Sequence, residues 1–197
     1  MMNLLKKTAV TTLLASTLLF SGCGYNTLQA KDEAVTASWS EVQNQYQRRA
    51  DLVPNLVNVV KGYAKHEEQV LTEVTQARSN VAGLKVDKEV LEDPVLFERY
   101  QQAQSQLTGA LSRLIAVSEN YPDLKANENF RDLQAQLEGT ENRIAVARNR
   151  YITSVQDYNA YSRQFPQVMT AKVIGMKTKE NFKAEQSAQQ APTVSFN

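Results

Sequence analysis

The chain has 197 residues, of which 42% are hydrophobic, and it carries a formal net charge of +1 at pH 7. With a charge so close to zero, nothing marks the chain as a nucleic-acid binder, since the tracts that do so are strongly basic. The single Cys and single His exclude an internal disulfide, a four-cysteine metal site and a two-histidine metal motif. Few Gly and Pro, and many residues that favour helices, predict an all-α protein with one core.

The N-terminal segment has the parts of an export signal in order. Lys6 and Lys7 precede an uncharged apolar run over residues 8–20, and two small residues then precede the only cysteine, Cys23. The run is too short to cross a bilayer but suits the apolar part of a secretory signal. The segment resembles a bacterial lipoprotein signal, which implies that residues 1–22 are a removed signal peptide and that Cys23 carries the lipid.

Two other interpretations of this segment stay open: an ordinary signal peptide with a free Cys23, and an uncleaved membrane anchor. Cleavage would remove two of the 22 basic residues and none of the 21 acidic ones, which leaves a net charge of −1. Membrane attachment would then depend on Cys23, where several acyl chains would anchor stably. Gly24 is not the Asp that signals inner-membrane retention in enteric-type bacteria, which favours the periplasmic side of an outer membrane if the host has one.

The first predicted helix follows a short tether over residues 23–28. Its apolar residues recur every three or four positions, as on one face of a helix. The positions on this face are Val35, Trp39, Val42, Tyr46, Arg49, Val53, Leu56, Val60 and Tyr63. Asp32 suits the first turn of the helix. Pro54 predicts a kink near Asp51, because proline lacks an N–H and crowds the preceding turn.

The middle of the chain contains a second strong helix pattern. Residues 66–81 continue the earlier spacing, either as a second helix after a bend or as the tail of the first, and residues 83–92 suit a loop. Asp93 and Pro94 then mark a helix start, since they provide an Asp cap and a proline at the first helical position. The apolar face of this helix is Tyr100, Ala103, Leu107, Ala110, Leu114, Val117 and Tyr121. Pro122 ends it.

The longest apolar stripe runs from Phe130 to Phe165. Counted in sevens, it contains Phe130, Leu137, Ile144, Tyr151, Tyr158 and Phe165, with Leu133, Thr140, Ala147, Ser154 and Tyr161 beside them. A stripe of this length has to be covered by other helices. The short connection over residues 123–127 makes this helix an antiparallel neighbour of the preceding one.

The pattern predicts an all-α fold, an antiparallel bundle of three to four long helices over residues 29–166. A short C-terminal flap over residues 167–184 follows, and residues 185–197 form a disordered tail. The flap residues expected to pack back are Val173, Ile174, Met176 and Phe182.

Ordered motifs over about residues 25–182 resemble the LemA family. They are Tyr25-Asn26-x-Leu28 with Asp32-Glu33-Ala34-Val35, Arg48-Arg49-Ala50-Asp51-Leu52-Val53-Pro54-Asn55-Leu56, Lys61-Gly62-Tyr63-Ala64, His66-Glu67, Tyr121-Pro122-Asp123-Leu124-Lys125, Glu138-Gly139-Thr140-Glu141-Asn142-Arg143, Arg148-x-Arg150-Tyr151, Val155-x-x-Tyr158-Asn159 and Phe165-Pro166. The resemblance implies an antiparallel helical bundle attached to a bacterial membrane, and it implies no enzymatic activity. Family members often have a longer N-terminal membrane helix in place of the Cys23 signal.

The candidate site consists of Arg48, Arg49, Asp51 and Glu141. Because Arg49 occupies an apolar position, one interpretation is a buried charge paired with a carboxylate such as Asp51 or Glu141, which would fix the register of the helices. The other interpretation is a binding site for a protein partner or an anionic ligand at the Pro54 kink.

Other polar residues fit catalysis poorly. Glu138 and Glu141 flank the last stripe, where charges usually direct helix pairing. His66 has neither a second His for zinc nor a Gly-x-Ser-x-Gly turn for a hydrolase. The sequence has no Gly-rich phosphate loop, and the tyrosine stripe suits a core. We therefore expect no metal and no cofactor.

The predicted function is that of a non-catalytic, lipid-anchored scaffold or adaptor of the bacterial cell envelope. Its expected partners are the membrane, through Cys23, and an envelope protein, with no nucleic acid and no small-molecule substrate. Two alternatives stay open. One is a hydrolase of envelope polymers, and the other is a membrane-remodelling protein that lays residues 167–182 on lipid through Lys172, Lys177 and Lys179.

Overall fold

A computed structural model describes the backbone of residues 2–84 and 87–183, and the side chains of residues 24–84 and 87–183. The elements are α1 (Met2–Tyr63), α2 (Glu68–Ala82), a 3₁₀ turn (Lys88–Leu91), α3 (Pro94–Ser118), α4 (Pro122–Ala126), α5 (Glu128–Ser162) and α6 (Gln167–Val173). Every element in these ranges is helical, which confirms the predicted all-α class. The side chain of Cys23 and the tail over residues 185–197 lie outside the described part.

The two longest helices, α1 and α5, run side by side in opposite directions. At the end that we call distal, Asn127 Nδ2 donates a hydrogen bond of 3.0 Å to the hydroxyl of Tyr63. At the other, proximal, end Lys31 Nζ lies 5.7 Å from the centre of the Tyr161 ring. Helices α2 and α3 pack against each other, and α2 also packs against α1.

Buried apolar side chains form two cores along the helices. The distal core contains Val53, Leu56, Val60, Leu71, Val74, Leu107, Leu114, Leu124, Phe130 and Leu137. The aromatic core contains Val35, Trp39, Val42, Tyr46, Leu91, Phe97, Tyr100, Ile144, Tyr151 and Tyr158. In the aromatic core the Trp39 ring centre is 5.2 Å from that of Tyr151 and 5.4 Å from that of Tyr100, which suits tilted aromatic packing.

The proximal end of α1 differs from the prediction. The tether was expected over residues 23–28, but Gly24 to Leu28 are helical and Leu28 is fully buried. Leu28 precedes Val35 by seven positions, so it continues the same apolar face. Asp32, which we expected in the first turn, therefore lies in the interior of α1, between the buried residues Leu28 and Val35.

Helix α1 runs through Pro54 without ending there, and the kink expected near Asp51 stays a prediction. Proline has no N–H to donate to the carbonyl four residues earlier, which is that of Ala50. Arg78 in α2 supplies the missing donor, since its Nε donates to the Ala50 main-chain oxygen over 3.0 Å. A side chain of the neighbouring helix thus replaces the backbone hydrogen bond that Pro54 removes.

We expect Arg78→Ala to lower the free energy of unfolding by about 1–2 kcal/mol, because the Ala50 carbonyl would lose its donor. Pro54→Ala restores a backbone N–H, so Arg78→Ala should cost less in the Pro54→Ala background. Urea denaturation of the four proteins of this double-mutant cycle measures the coupling. Equal costs in the two backgrounds would show that Arg78 does not act through this carbonyl.

The structure decides between the two alternatives for residues 66–81. The helix is interrupted between Tyr63 and α2, so the segment belongs to a second helix. Tyr63, the last position of the first predicted face, is 44% exposed because α1 ends there. The predicted Asp93 cap is confirmed, since its side chain accepts backbone hydrogen bonds at the start of α3, and the side chain of Asn127 accepts one at the start of α5.

The stripe of α5 follows the count in sevens at first and then departs from it. Its buried members include Phe130, Leu137, Thr140, Ile144, Ala147, Tyr151 and Tyr158. Further on, Val155 and Ser162 are buried in place of Ser154 and Tyr161, whereas Phe165 lies beyond the end of α5 and is 84% exposed. A helix has about 3.6 residues per turn, so a strict count in sevens drifts by one position over several heptads.

Beyond α6 the chain crosses back over the aromatic core through a segment of residues 177–183, which we call the strap. Met176 and Phe182 pack against the aromatic core, as expected for the flap. Val173 and Ile174, which were expected to do the same, are 85% and 37% exposed. The apolar contacts of this region therefore come from Met176 and from Phe182 of the strap rather than from the end of α6.

Hydrogen bonds hold the strap in place. The buried hydroxyls of Tyr151 and Tyr158 donate to the main-chain oxygens of Glu180 (2.7 Å) and Lys177 (2.9 Å). The Glu180 N–H donates in turn to the main-chain oxygen of Leu91 over 2.7 Å. Two core tyrosines therefore find partners for their hydroxyls only because the strap lies over them.

Candidate functional site

A positively charged side chain is buried in the C-terminal half of α1. Arg49 is 1% exposed. Its Nη1 donates to Thr108 Oγ1 (2.7 Å) and to Glu141 Oε1 (3.1 Å), and its Nη2 donates to the main-chain and side-chain oxygens of Gln104. Because the planar guanidinium carries several fixed donors, one side chain joins α1, α3 and α5.

These contacts belong to a polar layer between the two cores. The layer consists of Arg49, Gln104, Thr108, Thr140 and Glu141. On α1, the residues one turn to either side of Arg49 are Tyr46, which belongs to the aromatic core, and Val53, which belongs to the distal core. The same change of core occurs at this level on α3 and α5. The layer therefore marks the boundary at which one apolar core ends and the other begins.

Glu141 is the carboxylate that balances the charge of Arg49. Its side chain is 36% exposed, so water reaches one side of the ion pair. The Tyr46 ring lies 5.0 Å from Arg49 Cζ, within the range of a cation–π contact. Within the described residues, Arg49 Nε and Gln104 Nε2 have no hydrogen-bond partner. Since burying an incompletely paired charge is costly, the layer is better suited to fixing register than to adding stability.

The two tyrosines beside the layer are held neutral. Burial raises the pKa of Tyr46 more than the charges of Arg148 and Arg49 lower it. Burial also raises the pKa of Tyr100 strongly. Neither phenol therefore ionises near neutral pH, so neither can act as a general base there.

The four candidate residues do not form one cluster. Arg49 and Glu141 meet in the polar layer, whereas Arg48 and Asp51 are exposed. Asp51 accepts a hydrogen bond of 2.7 Å from Gln47 Nε2 and is not the partner of Arg49. Two positions along a helix correspond to a rotation of about 200°, so Asp51 faces away from the buried side.

Sequence reasoning did not identify Gln104 and Thr108. Ala103 was assigned to the apolar face of α3 and its polar neighbour Gln104 was not, yet Gln104 is 4% exposed. The signal that could have identified it is spacing, because Gln104, Leu107 and Leu111 follow each other at steps of three and four. A buried arginine also needs acceptors at its own level on the facing helices.

A second ionic cluster fastens the strap. Lys179 Nζ lies 2.7 Å from Glu92 Oε1 and 2.9 Å from Asp32 Oδ1, and its side chain is 10% exposed. Burial opposes its positive charge, but Glu92 and Asp32 outweigh burial and raise the pKa of Lys179. Lys179 was expected to face lipid in the remodelling alternative, and it is instead committed to this internal ion cluster.

The remaining candidates for chemistry are on the surface. His66 is exposed, and Glu138 accepts a hydrogen bond of 3.0 Å from Gln134. In the described ranges, no three His, Cys, Asp or Glu side chains are grouped so that they could hold a metal ion. Within the same ranges, no helix has the length and apolar character needed to cross a membrane.

The described residues form an all-helical protein. The side chains of its polar layer form hydrogen bonds and an ion pair with one another. The sequence profile of the LemA family matches residues 38–196. The chain therefore belongs to the LemA family.

Several relatives are similar over most of this chain. Magnetosome protein MamQ 2 of Paramagnetospirillum magneticum is 26% identical over 188 residues, which are 86% of this chain and 68% of that protein. Magnetosome protein MamQ of Magnetospirillum gryphiswaldense is 24% identical over 174 residues, 80% of this chain and 64% of that protein. Protein LemA of Metamycoplasma hominis is 24% identical over 135 residues, 68% of this chain and 58% of that protein. None of these names states an enzymatic activity.

Proposed function

We propose that this chain is a non-enzymatic, membrane-associated LemA-family protein of the bacterial cell envelope, anchored by lipid on Cys23, whose helical bundle serves as a scaffold or adaptor for a protein partner. Membership of the LemA family supports association with a membrane, and two of the relatives are named as magnetosome proteins.

The observation that carries the proposal is the continuity of α1. The helix runs from Met2 to Tyr63 without interruption, so it passes through the position of Cys23 and then along the whole length of the bundle. A lipid at Cys23 would therefore hold the body of the protein through a rigid element rather than through a flexible tether. Such a connection suits a protein that presents a fixed surface beside a membrane.

The use of the buried charges supports a non-enzymatic role. Arg49 is paired with Glu141, and Lys179 is paired with Glu92 and Asp32. A hydrolase would need carboxylates that meet a substrate, with one of them held protonated by its surroundings. Glu141, Glu92 and Asp32 are instead paired with these two internal cations.

The anchor is tested by metabolic labelling with a palmitate analogue, with Cys23→Ala as the matched control. We expect label on the native chain and none on the variant, because Cys23 is the only thiol of the sequence. Membrane fractionation of both proteins should show that the variant is lost from the lipid-anchored pool. Equal labelling of the two proteins would overturn the lipid anchor.

The scaffold role is tested by crosslinking in intact cells. Proteins captured by the native chain are compared with those captured by the Cys23→Ala chain, and each candidate is tagged in turn for reciprocal capture. We expect at least one partner that depends on the anchor and is recovered in both directions. A native chain that captures nothing beyond its own control would overturn the adaptor role.

A further inference from the structure

Three large apolar side chains at the proximal end are unusually exposed. Phe165 is 84% exposed, Met169 58% and Val173 85%, although α6 itself is held against the bundle by buried Ala171. We call these three residues the proximal patch. They are spaced by four positions each, and Met169 and Val173 therefore lie on one face of α6. Exposed apolar side chains that share a face, unlike singly scattered ones, point to a contact surface.

The proximal patch lies beside the point where the chain would leave a membrane. A Cβ added to Gly24, the residue after Cys23, would lie 3.5 Å from Gln167 Cγ at the start of α6. Gln167 Nε2 also donates to the hydroxyl of Tyr161 at 3.4 Å. Whether Cys23 carries lipid or the apolar run before it is retained, a bilayer surface would therefore lie at the level of α6.

The charges around the patch suit phosphate headgroups. Residues 163–177 contain Arg163, Lys172 and Lys177 and no Asp or Glu. Arg163 and Lys172 are exposed. Lys177 is 72% exposed, with its Nζ 3.8 Å from a Glu92 oxygen. Apolar side chains flanked by exposed cations are the combination that binds the interface of a membrane containing anionic lipid.

We propose that the proximal patch inserts into the surface of the bilayer to which the chain is attached, with Arg163 and Lys172 at the level of the lipid phosphates. This inference rests on the proposed membrane association and adds a second attachment point to Cys23. Two attachments restrict the tilt of the bundle, which a single lipid would leave free. A second copy of the chain is a less suitable occupant, because a symmetric contact would bring the same cations together.

The test uses the full chain, purified from membranes and placed in vesicles of phosphatidylethanolamine and phosphatidylglycerol that contain a spin-labelled quencher lipid. Phe165→Cys, Met169→Cys and Val173→Cys are labelled one at a time with an environment-sensitive dye. The control is Val146→Cys, a half-exposed valine of α5. Val146 lies four residues from Arg150, which forms an ion pair with Glu41 of α1. Glu41 lies about 25 Å along α1 from Gly24. The unsubstituted chain measures any reaction of Cys23 itself.

We expect the dye to be quenched several-fold more strongly at residues 165, 169 and 173 than at residue 146, and the quenching to weaken in vesicles of phosphatidylcholine alone. Equal quenching at residues 173 and 146 would overturn the inference. Protection of the dye in the absence of lipid would also overturn the inference. Protection that grows with protein concentration would assign the patch to contact with a second copy of the chain, and protection that does not would assign it to contact with the chain's own tail.

The outcomes separate this inference from the proposed anchor. Palmitate labelling of Cys23 without quenching at residue 173 overturns the inference alone. Quenching at residue 173 without labelling of Cys23 overturns the lipid anchor alone and leaves the proximal patch as the membrane contact.

Discussion

Arg49→Ala should lower the free energy of unfolding by about 3–5 kcal/mol, because it removes a large buried side chain and leaves its neighbours without donors. The guanidinium now satisfies Thr108, Glu141 and both oxygens of Gln104. Alanine would leave a cavity between the two cores with buried polar groups facing it. Urea unfolding followed by circular dichroism, in the same detergent for each variant, measures the loss.

Two matched variants separate volume from charge. Arg49→Met keeps most of the volume and should recover part of the loss, whereas Arg49→Met with Gln104→Leu should come close to native stability, since an apolar layer needs no internal donors. The interpretation of the layer as a register device predicts that this stable double variant has a less uniquely packed core, visible as broadened side-chain signals in NMR spectra. A cost below about 1 kcal/mol for Arg49→Ala would contradict the role of the layer.

Phe182→Ala should lower the free energy of unfolding by about 2–3 kcal/mol and release the strap from the aromatic core. The Phe182 ring centre lies 5.1 Å from that of Phe97 and 5.5 Å from that of Tyr151, and Arg148 Cζ is 4.4 Å above the ring. Trp39, the only tryptophan of the chain, is 4% exposed, and its ring centre lies 6.2 Å from that of Phe182. Its emission should therefore shift to longer wavelength in the variant.

The control for the strap is Phe182→Leu, which keeps an apolar contact and should shift the emission of Trp39 much less. Lys179→Met tests the ionic cluster separately, because it leaves the ring contacts intact while removing the pairs with Glu92 and Asp32. Unchanged Trp39 emission in Phe182→Ala would show that the strap does not protect the aromatic core.

Helical periodicity predicts a large part of this fold. The faces that contain Val35 and Tyr100 are mostly buried as expected, because packing of long helices repeats a local pattern that one sequence displays. The charged residue on the first face, Arg49, was visible from its spacing for the same reason. Glu141 was one of two carboxylates considered for it, and the geometry of the bundle selects it over Asp51.

Contacts between distant segments are beyond this kind of prediction. No pattern in the sequence indicates that Arg78 would serve the carbonyl freed by Pro54, since the donor comes from another helix. The strap is also unpredictable from periodicity, because its extended residues are fixed by Tyr151 and Tyr158 rather than by each other. The drift in α5 has a different origin, namely the difference between a period of seven residues and the natural helix repeat.

The unbroken α1 also sets a length scale. From Gly24 to Tyr63 the helix covers 40 residues, or about 60 Å at the standard rise per residue. The far end of this helix lies against Asn127, whose side chain donates a hydrogen bond to the hydroxyl of Tyr63. A helix of this length fixes the distance from the proximal end at which another molecule can bind.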